Sequence, residues 1–115
     1  MREVVATLIS KSGSLAARVA EPNFDSNAWS EGTIALARDI EGLSGLVSVM
    51  SPPACAQVAY ANLRASTIEL GRGTGLIVSG VADRNRSLLA SGAERLAAGR
   101  GGLPVAQANL AAVSC

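Results

Sequence analysis

The stretch that most constrains the fold is STIELGRGTGLIVSGVADRNRSLLASGAERLAA, at residues 66–98. Residues 66–70 alternate polar and apolar side chains, residues 76–81 are mostly apolar, both contain β-branched side chains, and the glycine-rich segment 71–75 separates them. That pattern is typical of two strands joined by a turn. The polar corner at residues 83–87 offers N-caps to a following segment with helical apolar spacing. We therefore predict a β-hairpin whose second strand leads into a covering helix.

The amino-terminal segment predicts a second hairpin. Residues 3–9 have the length and β-branched content of a strand, and residues 14–20 alternate in hydrophobicity. The segment 10–13 between them has the composition of a turn. A further strand fits residues 54–62, and a short alanine-rich helix fits the same residues. The chain thus contains five candidate strands.

The clearest periodic signal in the chain begins at Trp29. From there, side chains suited to one face of a helix recur at spacings of four and three residues: Trp29, Thr33, Leu36, Ile40, Leu43 and Val47. Residues 25–27 supply candidate N-caps. The Ser-Pro-Pro segment at 51–53 must end the helix, because proline disfavours helical backbone in the residue before it. The spacing predicts a helix from about residue 27 to the high forties.

This stripe has two interpretations. It packs as core against the sheet, or it pairs with its own copy in a dimer, since helix pairs use the same spacing. Aromatic residues concentrate at protein interfaces. We therefore name Trp29, Thr33, Leu36 and Ile40 as the candidate partner or dimer interface, with Trp29 first among them.

The element order is β-β-α-β-β-β-α. It predicts an α/β (α+β) fold in which a five-stranded, mostly antiparallel sheet carries helices packed on it. We expect one domain over residues 1–98 and an alanine-rich carboxyl-terminal tail over residues 99–115, lying on the body or on a partner. The apolar residues are mostly small aliphatics, with one Trp, one Tyr and one Phe. Such a core leaves apolar surface that a homodimer covers.

The composition excludes several kinds of active site. The sequence contains no histidine, which removes Ser-His and Cys-His nucleophile pairs, and nothing near Cys55 activates its thiol. The glycines of segment 71–75 precede a predicted strand, whereas a phosphate-binding loop precedes a helix. Five acids that a metal or acid–base pair would recruit are scattered over the predicted elements: Asp25, Asp39, Glu41, Asp83 and Glu94. We expect no catalytic residue, no metal and no cofactor.

Charge and cysteine content bear on partners and compartment. Ten basic and nine acidic residues give a net charge of +1 without a basic stripe, which argues against nucleic-acid binding. No apolar run approaches the length of a membrane span, and the run at 4–9 is too short for a signal peptide. Cys55 and Cys115 make neither a disulfide framework nor a zinc site. Free thiols in a reducing cytosol are the simplest account, so we predict a cytoplasmic protein.

Three segments together resemble the dynein light-chain roadblock family, including its bacterial gliding-motility and GTPase-regulator members. They are VVATLISKSGSLAARVA, the helix after EPNFDSNAW, and LGRGTGLIVSGVADRNRSLLASGAERLA. The resemblance covers about residues 3–98, and the tail after Gly99 has no counterpart in the family. It implies a non-enzymatic homodimer that acts as a regulator or scaffold and binds a small Ras-like GTPase or a similar partner. It carries over no catalytic residue.

Two other functions stay open. One is a small-ligand-sensing regulatory α/β domain, which the opening segment VVATLIS and the element order also fit. The other is a small enzyme whose site forms at a subunit interface, since such a site needs no linear motif. Partner identification and a metabolite screen by thermal shift separate these functions.

Overall fold

Four α-helices and no β-strand make up residues 2–115, the part of the chain that the computed structural model describes. The helices are α1 (Arg2–Ala20), α2 (Asn27–Val49), α3 (Gln57–Ala82) and α4 (Arg86–Ala112), and a short 3-10 helix (Ala54–Ala56) precedes α3. Each helix packs against two neighbours in a closed ring, in the order α1, α2, α3, α4. The result is an antiparallel four-helix bundle, 51 Å long and 21 Å across.

The predicted α/β fold, with its five-stranded sheet in β-β-α-β-β-β-α order, is therefore wrong, and so is the roadblock-like architecture. Every segment predicted as a strand lies in helical backbone. At residues 54–62 the helical alternative is the correct one. The aliphatic runs that suggest strands are the buried faces of helices, and local β propensity yields to that packing.

Helix α1 shows why the first hairpin was predicted where a helix forms. Its buried residues recur at spacings of three and four: Val5, Leu8, Ser12, Leu15 and Val19. Ser12 interrupts the apolar pattern in the sequence, which is why the segment 10–13 has the composition of a turn. In the bundle its side chain is fully buried, and its hydroxyl donates to the carbonyl of Ile9 at 3.3 Å. A polar residue that satisfies itself on its own helix can occupy a core position.

The prediction of the long helix is confirmed. Helix α2 runs from Asn27 to Val49 and ends before the two prolines. Ser26 is its N-cap, and the hydroxyl of Ser26 accepts a hydrogen bond from the backbone N–H of Trp29 at 3.1 Å. Ser26 therefore satisfies one of the amides that a helix start leaves without a partner.

The tightest packing in the bundle is between α3 and α4, along a row that we call the glycine seam. Large and small residues alternate on both helices: Leu70, Gly73, Ile77 and Gly80 on α3, and Leu89, Gly92, Leu96 and Gly99 on α4. All eight are buried. Each glycine faces a large side chain or the backbone beside it on the other helix, so the two backbones approach closely. The segment 71–75, predicted as a hairpin turn, lies in the middle of α3.

Helix α4 passes without a break through residues 98 and 99, where the sequence suggested that the domain gives way to a tail. The segment 99–112 forms the second half of α4 and contributes Gly99, Leu103 and Ala106 to the buried core. Pro104 lies inside the helix. Proline cannot donate a backbone hydrogen bond, so the helix is intrinsically weakened at this point.

Candidate interaction surface

Two of the residues predicted as an interface, Trp29 and Thr33, belong to a hydrogen-bonded cluster between α1 and α2. The guanidinium of Arg18 donates to the hydroxyl of Thr33 at 3.1 Å and to the carbonyl of Trp29 at 3.1 Å. The indole N–H of Trp29 donates in return to the carbonyl of Arg18 at 3.1 Å. The Trp29 ring also meets Phe24 edge-on, with 5.7 Å between the ring centroids. These contacts join the ends of two helices within one chain.

The structure places the four predicted interface residues along the side of α2 that faces the core. Thr33 and Ile40 are fully buried, so their side chains have no surface to offer a partner. Trp29 and Leu36 are half-buried and pack against the core. An interface through the exposed parts of Trp29 and Leu36 stays a prediction.

A different part of the molecule has the composition of an interface. All 19 charged residues fall outside two segments, residues 42–63 and 101–115. The bundle brings these segments to one end, because the end of α2 and the start of α3 meet the end of α4 there. We call the exposed side chains of the two segments the charge-free surface. Depletion of charge is characteristic of the centre of protein interfaces.

Exposed apolar side chains concentrate on the same surface. Five large apolar residues stand out as exposed: Leu46, Val49, Val58, Ile68 and Val105. All but Ile68 belong to the charge-free surface. Val49 and Val58 are exposed by 77% and 81%. Leu46 lines a groove between α1 and α2, and Val58 lines a groove between α3 and α4, so these side chains are distributed around the charge-free end of the bundle. Exposed apolar side chains concentrated in a region without charge mark a candidate contact site.

One of the charges that flank the two segments in sequence is turned inward. Arg64 is half-buried, and its guanidinium donates to the carbonyl of Met50. The guanidinium carbon lies 5.9 Å from the centroid of the Tyr60 ring. Since this charge is held against the end of α2, it adds little to the exposed surface. Arg2 and Glu3, in the first turn of α1, are the charges at this end of the bundle.

The outer face of α2 within this surface has glycine at two of its positions. Gly42, Gly45, Leu46 and Val49 are spaced so that they share one face of the helix, and all four are exposed. A Cβ atom built on Gly42 or Gly45 would meet nothing within 4 Å. The space beside these two glycines is therefore open to solvent.

The two cysteines are joined, so the prediction of free thiols is wrong. Cys55, in the 3-10 helix, forms a disulfide with Cys115, 60 residues later, with 6.0 Å between the Cα atoms. Both residues are exposed. The bond attaches the carboxyl-terminal segment to the link between α2 and α3. No local sequence signal could have paired them, because only the bundle topology brings them together.

A groove of about 410 Å³ lies between α1 and α2 at the edge of the charge-free surface. Lys11 and Asp39 form an ion pair across it at 2.9 Å, and Leu43 and Leu46 line its apolar part. The groove is of a size that small ligands occupy, but it is open to solvent along its length. Within residues 2–115, no three His, Cys, Asp or Glu side chains are grouped to hold a metal ion.

Comparisons with family models, with curated proteins and with solved structures find no match to this chain. The roadblock resemblance and the GTPase partner therefore stay predictions from the sequence alone. None of the helices in the described part of the chain is long and apolar enough to cross a bilayer.

Proposed function

We propose that this protein is a non-enzymatic interaction module that forms a homodimer through its charge-free surface. One observation supports this function above the others. Two long segments of the chain carry no charge, they meet at one end of the bundle, and they hold most of the exposed large apolar side chains. Covering that surface removes apolar area from water, which favours association.

A second copy of the chain fits this surface better than a charged partner does. In a two-fold dimer the same patch lies on both sides of the contact, so the patch must be complementary to itself. A patch with charges of one sign repels its own copy, whereas an uncharged apolar patch does not. The lack of charge on the surface is thus the property that self-association requires.

The charge-free surface covers the end of the bundle and continues onto its flank. The Cα atoms span 21 by 21 Å in cross-section, and the side chains widen the end further. A stable dimer buries roughly 800 Å² on each partner. The face of α2 formed by Gly42, Gly45, Leu46 and Val49 adds area on the flank to the area that the end of the bundle offers.

Replacing Val49 and Val58 with lysine tests this surface. Both side chains are largely exposed, so the double variant should fold with unchanged stability. Its dissociation constant should rise at least ten-fold, because an unpaired charge would have to be buried in the contact. Sedimentation velocity at several concentrations measures the change.

The matched control for this experiment is the double variant Ser79→Lys, Ser91→Lys, at exposed positions on α3 and α4 outside the charge-free segments. It adds the same two positive charges and should leave the dissociation constant unchanged. Equal effects of the control and the Val49→Lys, Val58→Lys variant would mean that net charge, and not this surface, governs association.

A small Ras-like GTPase is the partner that the family resemblance implies, and we propose it only on that basis. Its test is direct binding of a purified GTPase of this class in its GDP- and GTP-bound forms. Loss of binding in the Val49→Lys, Val58→Lys variant would place that partner on the same surface. The ligand-sensing and interfacial-enzyme functions stay predictions. The groove between α1 and α2 is where a ligand screen should look first.

The compartment follows from the state of the two cysteines. A cytoplasmic location was predicted from free thiols, and cytosolic proteins seldom keep structural disulfides. We propose that the protein works where the Cys55–Cys115 bond persists, which is an oxidising environment. Trapping thiols with an alkylating agent in intact cells, before lysis, shows which state is populated.

A further inference from the structure

The last part of α4 is weakly joined to the rest of the helix. Pro104 has no backbone N–H, so it cannot donate to the carbonyl of Arg100 as a helix requires. Gly101 and Gly102 come just before it, and glycine is the poorest helix former after proline. This arrangement concentrates three unfavourable residues within one turn. We call residues 101–103 the hinge and residues 104–115 the flap.

The flap cannot hold its shape by itself. Its helical part, residues 104–112, has nine residues. Isolated helices shorter than about 12 residues are marginal in water. Packing holds the flap on the bundle, mainly through buried Ala106 and half-buried Leu110. The disulfide at its far end, through Cys115, is a covalent attachment.

The disulfide is open to attack from solvent. Cys55 and Cys115 are both exposed, and a surface groove of about 380 Å³ lies beside the bond. Val58, Asn109 and Val113 line this groove, and no charged side chain borders it. A thiolate needs access to one of the sulfurs to begin exchange. The groove lined by Cys55 offers a route for that access.

We infer that the Cys55–Cys115 bond is a redox-controlled latch that keeps the flap closed on the bundle. A dithiol reductant opens it in two steps. Its thiolate attacks one cysteine sulfur and displaces the other as a thiolate, and its second thiol then displaces the first cysteine. The reductant leaves as a disulfide, and Cys55 and Cys115 receive two electrons and two protons. An oxidant of the disulfide class reverses the reaction.

Opening the flap changes the charge-free surface. Ala59 is buried and lines the groove together with Asn109 and Val113 of the flap, so its side chain gains exposure when the flap leaves. Val105 moves away with the flap. If the homodimer forms as proposed above, this step disrupts one edge of its contact, and reduction weakens the dimer. That consequence rests on the proposed function, whereas the latch itself does not.

Hydrogen exchange read by mass spectrometry tests the latch. At early time points, peptides covering residues 104–112 should exchange at least ten-fold faster in the dithiol-reduced protein than in the oxidised protein. At time points before global unfolding contributes to exchange in either form, peptides from α1 and from the centre of α3 should change less than two-fold. A reduced flap that exchanges at the oxidised rate would overturn the inference. So would acceleration spread evenly over all four helices at those early time points.

Two variants make the experiment specific. Cys115→Ser should show the open flap without any reductant. Pro104→Ala restores the missing hydrogen bond. Reduction should therefore accelerate exchange of the flap less in this variant than in the wild type. The logarithm of the rate increase on reduction should be less than half of the wild-type value. An equal acceleration in Pro104→Ala would overturn the role of the hinge. If the flap opens and the dissociation constant of the dimer stays the same, the latch stands and the proposed dimer surface is wrong.

Discussion

Replacing Gly73 with alanine is expected to lower the free energy of unfolding by about 2 kcal/mol, whereas the same change at Gly75 should raise it by about 1 kcal/mol. The two glycines lie two residues apart in α3. Gly73 is buried in the glycine seam, and Gly75 is exposed. The pair isolates packing from helix propensity, because both substitutions add one methyl group to the same helix.

The opposite signs follow from what each new Cβ atom would meet. At Gly73 it would lie 2.7 Å from the backbone nitrogen of Leu96 and 2.9 Å from the carbonyl oxygen of Gly92. Both are backbone atoms, so only a shift of α4 away from α3 relieves the overlap, and that opens the seam. At Gly75 it would meet nothing within 4 Å. Only the gain in helix propensity from glycine to alanine remains there.

Urea unfolding followed by circular dichroism measures both free energies. Gly92→Ala is a second probe from the other side of the seam, since its Cβ would lie 2.8 Å from Cγ1 of Ile77. It should destabilise the protein as Gly73→Ala does. If all three alanine variants were more stable than the wild type, the close packing of α3 on α4 would be wrong.

Removing the disulfide is expected to have the largest effect of any change considered. The bond closes a loop of 60 residues, and the chain-entropy estimate for a loop of that length is about 4 kcal/mol. Domains of this size have free energies of unfolding of roughly 5–15 kcal/mol, so the bond supplies a large share. The Cys55→Ser, Cys115→Ser variant should therefore melt more than ~10 °C below the oxidised protein.

The control is chemical reduction of the wild type, which should give the same melting temperature as the double serine variant. A non-reducing peptide map adds direct evidence, because a peptide with Cys55 should be recovered linked to a peptide with Cys115. Equal melting temperatures of the oxidised and reduced wild type, together with unlinked peptides, would show that the bond does not form.

The sequence predicted α2 correctly because its signal is local. Trp29, Leu36, Ile40 and Leu43 are large apolar residues at helical spacing, and prolines mark the end of the helix. Nothing outside the segment is needed to recognise it. The helix predicted after the polar corner at residues 83–87 is also present, because residues 88–97 lie in α4. Its end is at Ala112, well beyond the predicted segment.

Helices α1 and α3 were missed because small and polar residues occupy their core positions. Ser12 is a core residue only because it bonds to its own helix, and Gly73 only because Leu96 faces it from α4. Glycine and serine in a single sequence indicate turns. What makes them core residues is a partner helix far along the chain, and local patterns carry no information about it. Cys55 and Cys115 also come together only because the bundle packs segments that are far apart in the sequence.

The two segments of the charge-free surface are detectable from the sequence as long gaps between charges, whereas runs of charge do not reveal them. Two gaps, at residues 42–63 and 101–115, are plain once all 19 charges are placed along the chain. The sequence does not show that the two gaps meet in space. That step requires the topology of the bundle and the disulfide that joins its end.

A concentration series of amide NMR spectra of the oxidised protein tests the proposed homodimer most directly. At 11.6 kDa the chain is small enough for resolved spectra in both states. Between micromolar and millimolar concentration, the resonances of residues 42–63 and 101–115 should shift or broaden, while those around Arg18 and Trp29 stay in place. Spectra independent of concentration, or changes centred on the charged part of the bundle, would contradict association through the charge-free surface.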